Sequence, residues 1–100
     1  MSSPDRIRID KWLWHCRFYK TRSLAQAAAE KGHIRVNGNR VEKAGRGIKI
    51  GDLLTVPTGR EALVVRVVAF GERRGPAPEA RLLYEIVAGG GVDPAPSPPL

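Results

Sequence analysis

The side chains in this sequence that could do chemistry are mostly cations, and they are crowded into its first half. Twelve of the seventeen Lys and Arg residues lie between Arg6 and Lys49, against only Asp10, Glu30 and Glu42. Residues 50–100 hold five Arg against six acids. The net charge of +7 and the pI near 10.3 therefore belong to one part of the chain, and the matching partner is a polyanion. The candidate binding set is Arg8, Lys11, Lys20, Thr21, Arg22, Gln26, Lys31, Arg35, Asn37 and Lys43. Lys and Arg neutralise phosphates and release counterions, so binding should weaken steeply with salt. Arg adds a two-pronged fork for phosphate, and Gln or Asn can hydrogen-bond to sugars or base edges. The turn Lys20-Thr21-Arg22-Ser23 also precedes a helix start, whose free amides and dipole favour an anion.

Other reactive residue types form no catalytic pattern. Cys16 is alone, which excludes an intramolecular disulfide and leaves a thiolate zinc site without ligands. His15 and His33 read as helix-surface and strand-surface groups, and Asp10 as a cap or a partner for a neighbouring Arg. No second carboxylate is spaced to share acid–base work with Asp10. Gly45-x-Gly47 lacks the pattern of a nucleotide loop and reads as a flexible turn. The expectation is no catalytic residue, no metal and no cofactor. Met1 to Arg8 contains no apolar signal-peptide core, and nothing approaches the ~20 apolar residues of a membrane span, so a cytoplasmic protein is expected.

Positioning these cations falls to a small fold. One hundred residues, 42% hydrophobic and 27% charged, suit one globular domain. Ile9 to Lys20 scans as a helix, with Ile9, Trp12, Leu13, Cys16 and Tyr19 in one arc at ~100° per residue and Arg8, Lys11 and His15 beside it. Trp14 and Phe18 form an i, i+4 pair that either stacks on bases or, the favoured expectation, packs under the C-terminal part. Ser23 with Gln26 fits a capping box opening a second helix, Leu24 to Lys31, closed by Gly32. Ile34 and Val36 then alternate with polar residues, and Asn37-Gly38 signals a hairpin with Val41 on the return strand. Gly45, Gly47 and Gly51 punctuate a loop before strands at Leu53 to Val56 and Ala62 to Phe70. Glu79 to Val87 has Leu82, Leu83 and Ile86 at helical spacing and reads as a last short helix. Residues 6–70 are thus taken as the binding domain with its following strand, and 71–88 as connector and C-terminal helix. Residues 89–100, GGGVDPAPSPPL, read as a disordered Pro/Gly tail.

Three of these segments together carry a resemblance. Arg8-Ile9-Asp10-Lys11-Trp12-Leu13, Lys20-Thr21-Arg22-Ser23-Leu24-Ala25 and Gly32-His33-Ile34-Arg35-Val36-Asn37-Gly38 resemble the S-four-type RNA-binding domain, or αL motif, over roughly Arg6 to Val56. Asp10-Lys11-Trp12-Leu13-Trp14, Arg73-Arg74-Gly75-Pro76-Ala77-Pro78-Glu79-Ala80 and Leu82-Leu83-Tyr84-Glu85 are similar to the bacterial fifteen-kilodalton heat-shock family. The resemblance implies a non-enzymatic factor on the large ribosomal subunit, acting on free subunits that still carry peptidyl-tRNA. It also implies RNA-facing roles for Arg8, Lys11, Lys20, Thr21, Arg22, Gln26, Arg35, Asn37 and Lys43. Members often continue into a long basic helical extension, where this sequence has its neutral Pro/Gly segment.

The expected architecture is α+β: two N-terminal helices on a small, mainly antiparallel sheet, with a short C-terminal helix. The expected partner is structured RNA, both rRNA and tRNA, and the expected state is a monomer. Two rivals stand beside this reading. A helix-turn-helix DNA binder fits two helices joined by a tight turn, although the second helix is mostly Ala and offers few readers. An accessory module of an RNA-modifying system fits the motif, but about 45 residues after it are too few for a catalytic domain.

Overall fold

The computed structural model describes residues 5–58 and 61–89; the expected tail beyond residue 89 lies outside them. A two-residue strand β1 (Ile7–Arg8) leads directly into helix α1 (Ile9–His15), followed by α2 (Arg22–Glu30). Strands β2 (Arg35–Val36), β3 (Asn39–Arg40), β4 (Gly47–Ile48), β5 (Leu53–Thr58) and β6 (Glu61–Val67) come next. A short helix α3 (Ala77–Ala80), a 3-10 turn (Arg81–Leu83) and β7 (Tyr84–Gly89) complete the described chain. The architecture is the expected α+β one. A five-stranded antiparallel sheet runs β3-β2-β5-β6-β7, and β1 pairs separately with β4.

Both N-terminal helices end in the same way, and only one end was legible. At α2, Gly32 takes φ 78, while the Gly32 and His33 amides bond back to the Ala29 and Ala28 carbonyls. That is the glycine-terminated turn expected from sequence. At α1 the same pair of bonds runs from Arg17 to Trp14 and from Phe18 to Leu13, with Arg17 at φ 66. A left-handed non-glycine residue costs roughly 1–2 kcal/mol, and the Arg17 Nε–H donates to the Gly75 carbonyl at 2.6 Å to offset it. The helix expected over Ile9 to Lys20 therefore stops five residues early, and Phe18 and Tyr19 pack from a loop.

The start of α2 also differs. Thr21, not Ser23, is the N-cap, and its hydroxyl accepts the Leu24 amide at 3.1 Å. Gln26 reaches Glu30 rather than back to the cap. The α1 amides find partners at a distance: Ile9 bonds the Arg46 carbonyl and Asp10 the Ala44 carbonyl. These contacts, with the β1–β4 pairing of Ile7 to Ile48 and Arg8 to Gly47, order a segment expected as a glycine loop.

The Asn37-Gly38 turn has both residues at positive φ, 52 and 87, as a tight two-residue hairpin requires. Core packing follows strand alternation: Leu54, Val56, Val65 and Val67 are buried against Ile9, Trp12 and Leu13 of α1. Ala25, Ala28 and Ala29 form the buried side of α2, and their small size lets the helices lie close. The last helix is present but displaced. It ends before Tyr84, and Tyr84 to Gly89 pair with β6 as a strand, leaving Leu82 and Ile86 exposed and Leu83 buried. Leu82, Leu83 and Ile86 suit either period over so short a run, and the free edge of β6 decides in favour of the strand.

Candidate nucleic-acid interface

The interface is organised around a buried carboxylate. The Asp10 side chain is 2% exposed at the start of α1. It accepts the Arg8 Nε–H at 3.1 Å and an Arg8 terminal N–H at 3.0 Å, and an Arg22 nitrogen lies at 3.6 Å. Burial pushes the Asp10 carboxyl up, but the Arg8 hydrogen bonds, the Arg22 and Arg8 charges and the Lys11 amide together outweigh it, so its pKa lies below the ordinary value. Asp10 is therefore ionised and ties two guanidiniums from different elements to one point. Their outer sides stay open, because Arg8 is 51% and Arg22 42% exposed. The expectation that Asp10 pairs with a neighbouring Arg is met.

Lys11, exposed on α1, joins this pair. Arg6, Arg8, Lys11 and Arg22 line a recess of about 290 Å³ together with Phe70 and Gly71. A second, shallower recess holds Arg40, Lys43 and Arg46 around Val41 and Glu42. The Arg8 guanidinium passes beside Gly45 and links the two recesses. Further on, the Arg40 side chain lies against Gly32, next to Lys31, and pairs across the hairpin with Arg35. A run of neighbouring cations thus extends from Arg22 through Arg8 and Arg40 to Arg35.

The candidate set divides accordingly. Arg8, Lys11 and Arg22 converge; Lys31, Arg35 and Lys43 lie along the continuation and are exposed. Arg35 donates to the Gly38 carbonyl at 3.3 Å, within its own turn. Lys20 is exposed in the α1–α2 loop, and no contact ties it to either recess. Three polar candidates are used by the protein itself: Thr21 as a helix cap, Gln26 on Glu30, and Asn37 between Asp52 and the Leu53 amide. The two recesses also hold Arg6, Arg40 and Arg46, which the candidate set does not include. Arg40 had a signal, since a two-residue Asn-Gly turn sets it opposite Arg35.

His15 is a correction. It was expected on the helix surface, yet it is 1% exposed. Helix α1 stops there, and the segment after β6 crosses over it, so the ring nitrogen Nδ1 meets the Phe70 carbonyl at 3.1 Å. A carbonyl only accepts, so Nδ1 carries the proton. Burial lowers the His15 pKa, partly opposed by the Phe70 hydrogen bond and reinforced by Lys11 and Arg22, so the ring is held neutral. His33 is exposed as expected.

Trp14 and Phe18 take the packing role. Phe18 lies 4.8 Å from the Tyr84 ring and 6.4 Å from Trp12, centroid to centroid. The Arg74 guanidinium sits 5.7 Å from the Trp14 ring centre and donates to the Trp14 and Tyr19 carbonyls. Cys16 is buried, which pushes its thiol up and away from the reactive thiolate.

The segment that carries these cations is also found in known proteins. The family model for the S4 domain matches residues 7–54, the segment that carries α1, α2 and the hairpin. The RQC P-site tRNA stabilizing factor of Halalkalibacterium halodurans is 40% identical over 80 residues, covering 80% of this chain and 89% of the relative. The chain belongs to the S4-domain family. Within that family it is also similar to the heat shock protein 15 homolog of Aeromonas salmonicida, 48% identical over 83 residues, which are 83% of this chain and 62% of the relative. The chain spans about three fifths of the length of such heat shock protein 15 relatives. A solved structure of Vibrio cholerae Heat Shock Protein 15, described as trimeric, superposes with a TM-score of 0.78 at 40% identity and 83% coverage of each chain. Among the described residues, no helix is long and apolar enough to cross a membrane.

Proposed function

We propose that the chain is a non-catalytic RNA-binding protein that grips the phosphate backbone of structured RNA. The proposed target is rRNA and tRNA on a large ribosomal subunit carrying stalled peptidyl-tRNA. The observation that carries the reading is the pair of guanidiniums, Arg8 and Arg22, fixed side by side on Asp10 with Lys11 beside them. Two preset forks lose less side-chain freedom on meeting phosphates than free surface arginines do. The cations continuing through Lys43 and Arg40 to Arg35 extend the grip beyond one phosphate.

Shape selects the RNA in this reading. An A-form helix hides its major-groove base edges, so a rigid cationic face recognises backbone spacing at helical junctions. The ribosomal target draws support from the relatives, one named for P-site tRNA stabilisation and others for heat shock. RNA binding is proposed to need only one chain's surface, because one chain supplies the whole cationic run.

Binding to a structured RNA at several salt concentrations tests this. Arg22→Ala, and the double variant Lys11→Ala/Arg35→Ala, are expected to weaken binding while the protein stays folded. Each lost phosphate contact is expected to flatten the log–log salt slope by about 0.7–0.9. Unchanged affinity and slope in folded variants would remove the assigned surface. Duplex DNA outcompeting structured RNA at equal salt would favour the helix-turn-helix rival instead.

A further inference from the structure

The recess between α1, α2 and the segment after β6 is more specific than a phosphate grip needs. Four cations, Arg6, Arg8, Lys11 and Arg22, share it with Phe70 and Gly71. The cations come from the part of the chain matched by the S4 domain, residues 7–54, or from just before it. Phe70 and Gly71 come from outside it. They are brought there by two side chains one turn apart on α1: Trp12 Nε1–H donates to the Ala69 carbonyl at 2.8 Å, and His15 Nδ1–H to the Phe70 carbonyl at 3.1 Å. Both α1 residues are buried, so consecutive carbonyls of the segment are clamped and Phe70 is held beside Lys11 and Arg22.

We propose that this recess is a seat for one unpaired nucleotide of the bound RNA, with its phosphate between Arg8 and Arg22 and its base against Phe70. A paired stem can offer this recess a phosphate but no base, since its bases are stacked inside the helix. An unpaired nucleotide at a bulge or junction can swing out and put its phosphate and its base into one recess. The volume, about 290 Å³, lies at the lower edge of the ~300–1,000 Å³ usual for small-molecule sites and suits a single nucleotide. Asp10 serves as a positioning residue, because it fixes the separation of the two guanidiniums that meet the phosphate. Gly71 has no side chain, which leaves the wall next to Phe70 as bare backbone.

This inference rests on the RNA-binding reading above, and the test separates the two. The full chain is titrated with three RNA hairpins at equal salt: a fully paired stem, the same stem with one bulged adenosine, and the same bulge made abasic. Binding of the paired stem tests the RNA reading alone. A base seated on an aromatic wall is expected to tighten the adenosine bulge over the abasic one about fivefold or more. Phe70→Leu, which keeps an apolar side chain, is expected to abolish that difference. Equal affinity of adenosine and abasic bulges for the unaltered protein would overturn the seat even if the stem binds tightly. So would a base preference that persists undiminished in folded Phe70→Leu.

Discussion

Replacing Asp10 by Asn changes one atom and tests whether the buried carboxylate organises the arginines. Asn keeps a single acceptor oxygen and turns an N–H2 donor toward guanidiniums that are themselves donors. The lost contacts are the 3.1 and 3.0 Å bonds from Arg8 and the 3.6 Å contact with Arg22. Hydrogen bonds to charged groups are worth roughly 1.5–3 kcal/mol when shielded from water. Here the carboxylate is buried but both guanidiniums are about half exposed, which screens the pair, so the loss is set at about 1–2 kcal/mol. For a domain of this size, that corresponds to a melting point lower by about 5–15 °C. Circular dichroism melts at neutral pH read the shift directly.

Acid supplies the control. The folded-state pKa of Asp10 is depressed, so its contribution is complete above the unfolded value near ~3.9 and fades as pH falls through the folded value. The gap between the two proteins should therefore close in strong acid. RNA binding gives a second sign. Asp10→Asn adds one unit of positive charge, so simple attraction would tighten binding. Release of the two preset arginines, at roughly 0.5–1.5 kcal/mol per side chain to be ordered, should instead weaken it about fivefold or more. Equal melting points at neutral pH, a gap that persists once the carboxyl is protonated, or tighter RNA binding would each refute the reasoning.

Other variants address the frame around the site. His15 is neutral in the fold with a lowered pKa, so its contribution is intact above ~6.5 and declines as pH drops from there toward the folded value. His15→Gln is expected to reduce the fall in urea midpoint between neutral and mildly acidic buffer; an unchanged fall would contradict the buried, neutral assignment. Trp12→Phe removes the donor to the Ala69 carbonyl and is expected to cost about 1–3 kcal/mol in denaturant titrations, faster amide exchange around Val68 to Gly71 marking the released segment. Gly38→Ala and Gly71→Ala separate strain from crowding. Both glycines have positive φ, but an added Cβ meets nothing within 4 Å at Gly38 and lies 3.0 Å from the Leu83 side chain at Gly71. Gly38→Ala should cost about 1 kcal/mol by denaturant titration, and Gly71→Ala more.

Local chemistry in the sequence determined much of this protein. The Asn37-Gly38 turn, the Gly32 helix end, the alternation of buried Val and Leu in β5 and β6, and the cationic first half all depend on neighbours a few residues apart. The core face of α1, Ile9, Trp12, Leu13 and Cys16, was equally readable from helical period. What tertiary structure decided was each feature set by partners far along the chain. Helix α1 stops at His15 because Arg17 finds the Gly75 carbonyl, 58 residues away, to hold it in a left-handed conformation. His15 turned inward because the segment after β6 covers it, and residues 84–89 became a strand because β6 offered an open edge. Within the candidate site, charge alone pointed to Arg8, Lys11 and Arg22, whereas Thr21 also caps α2, Gln26 also reaches Glu30 along the helix and Asn37 also binds across the turn. Phe70 entered the recess only through hydrogen bonds from Trp12 and His15, which span more than fifty residues and leave no periodic trace in the chain. Residue type announces what a side chain can bind; only the folded backbone decides which of them meet.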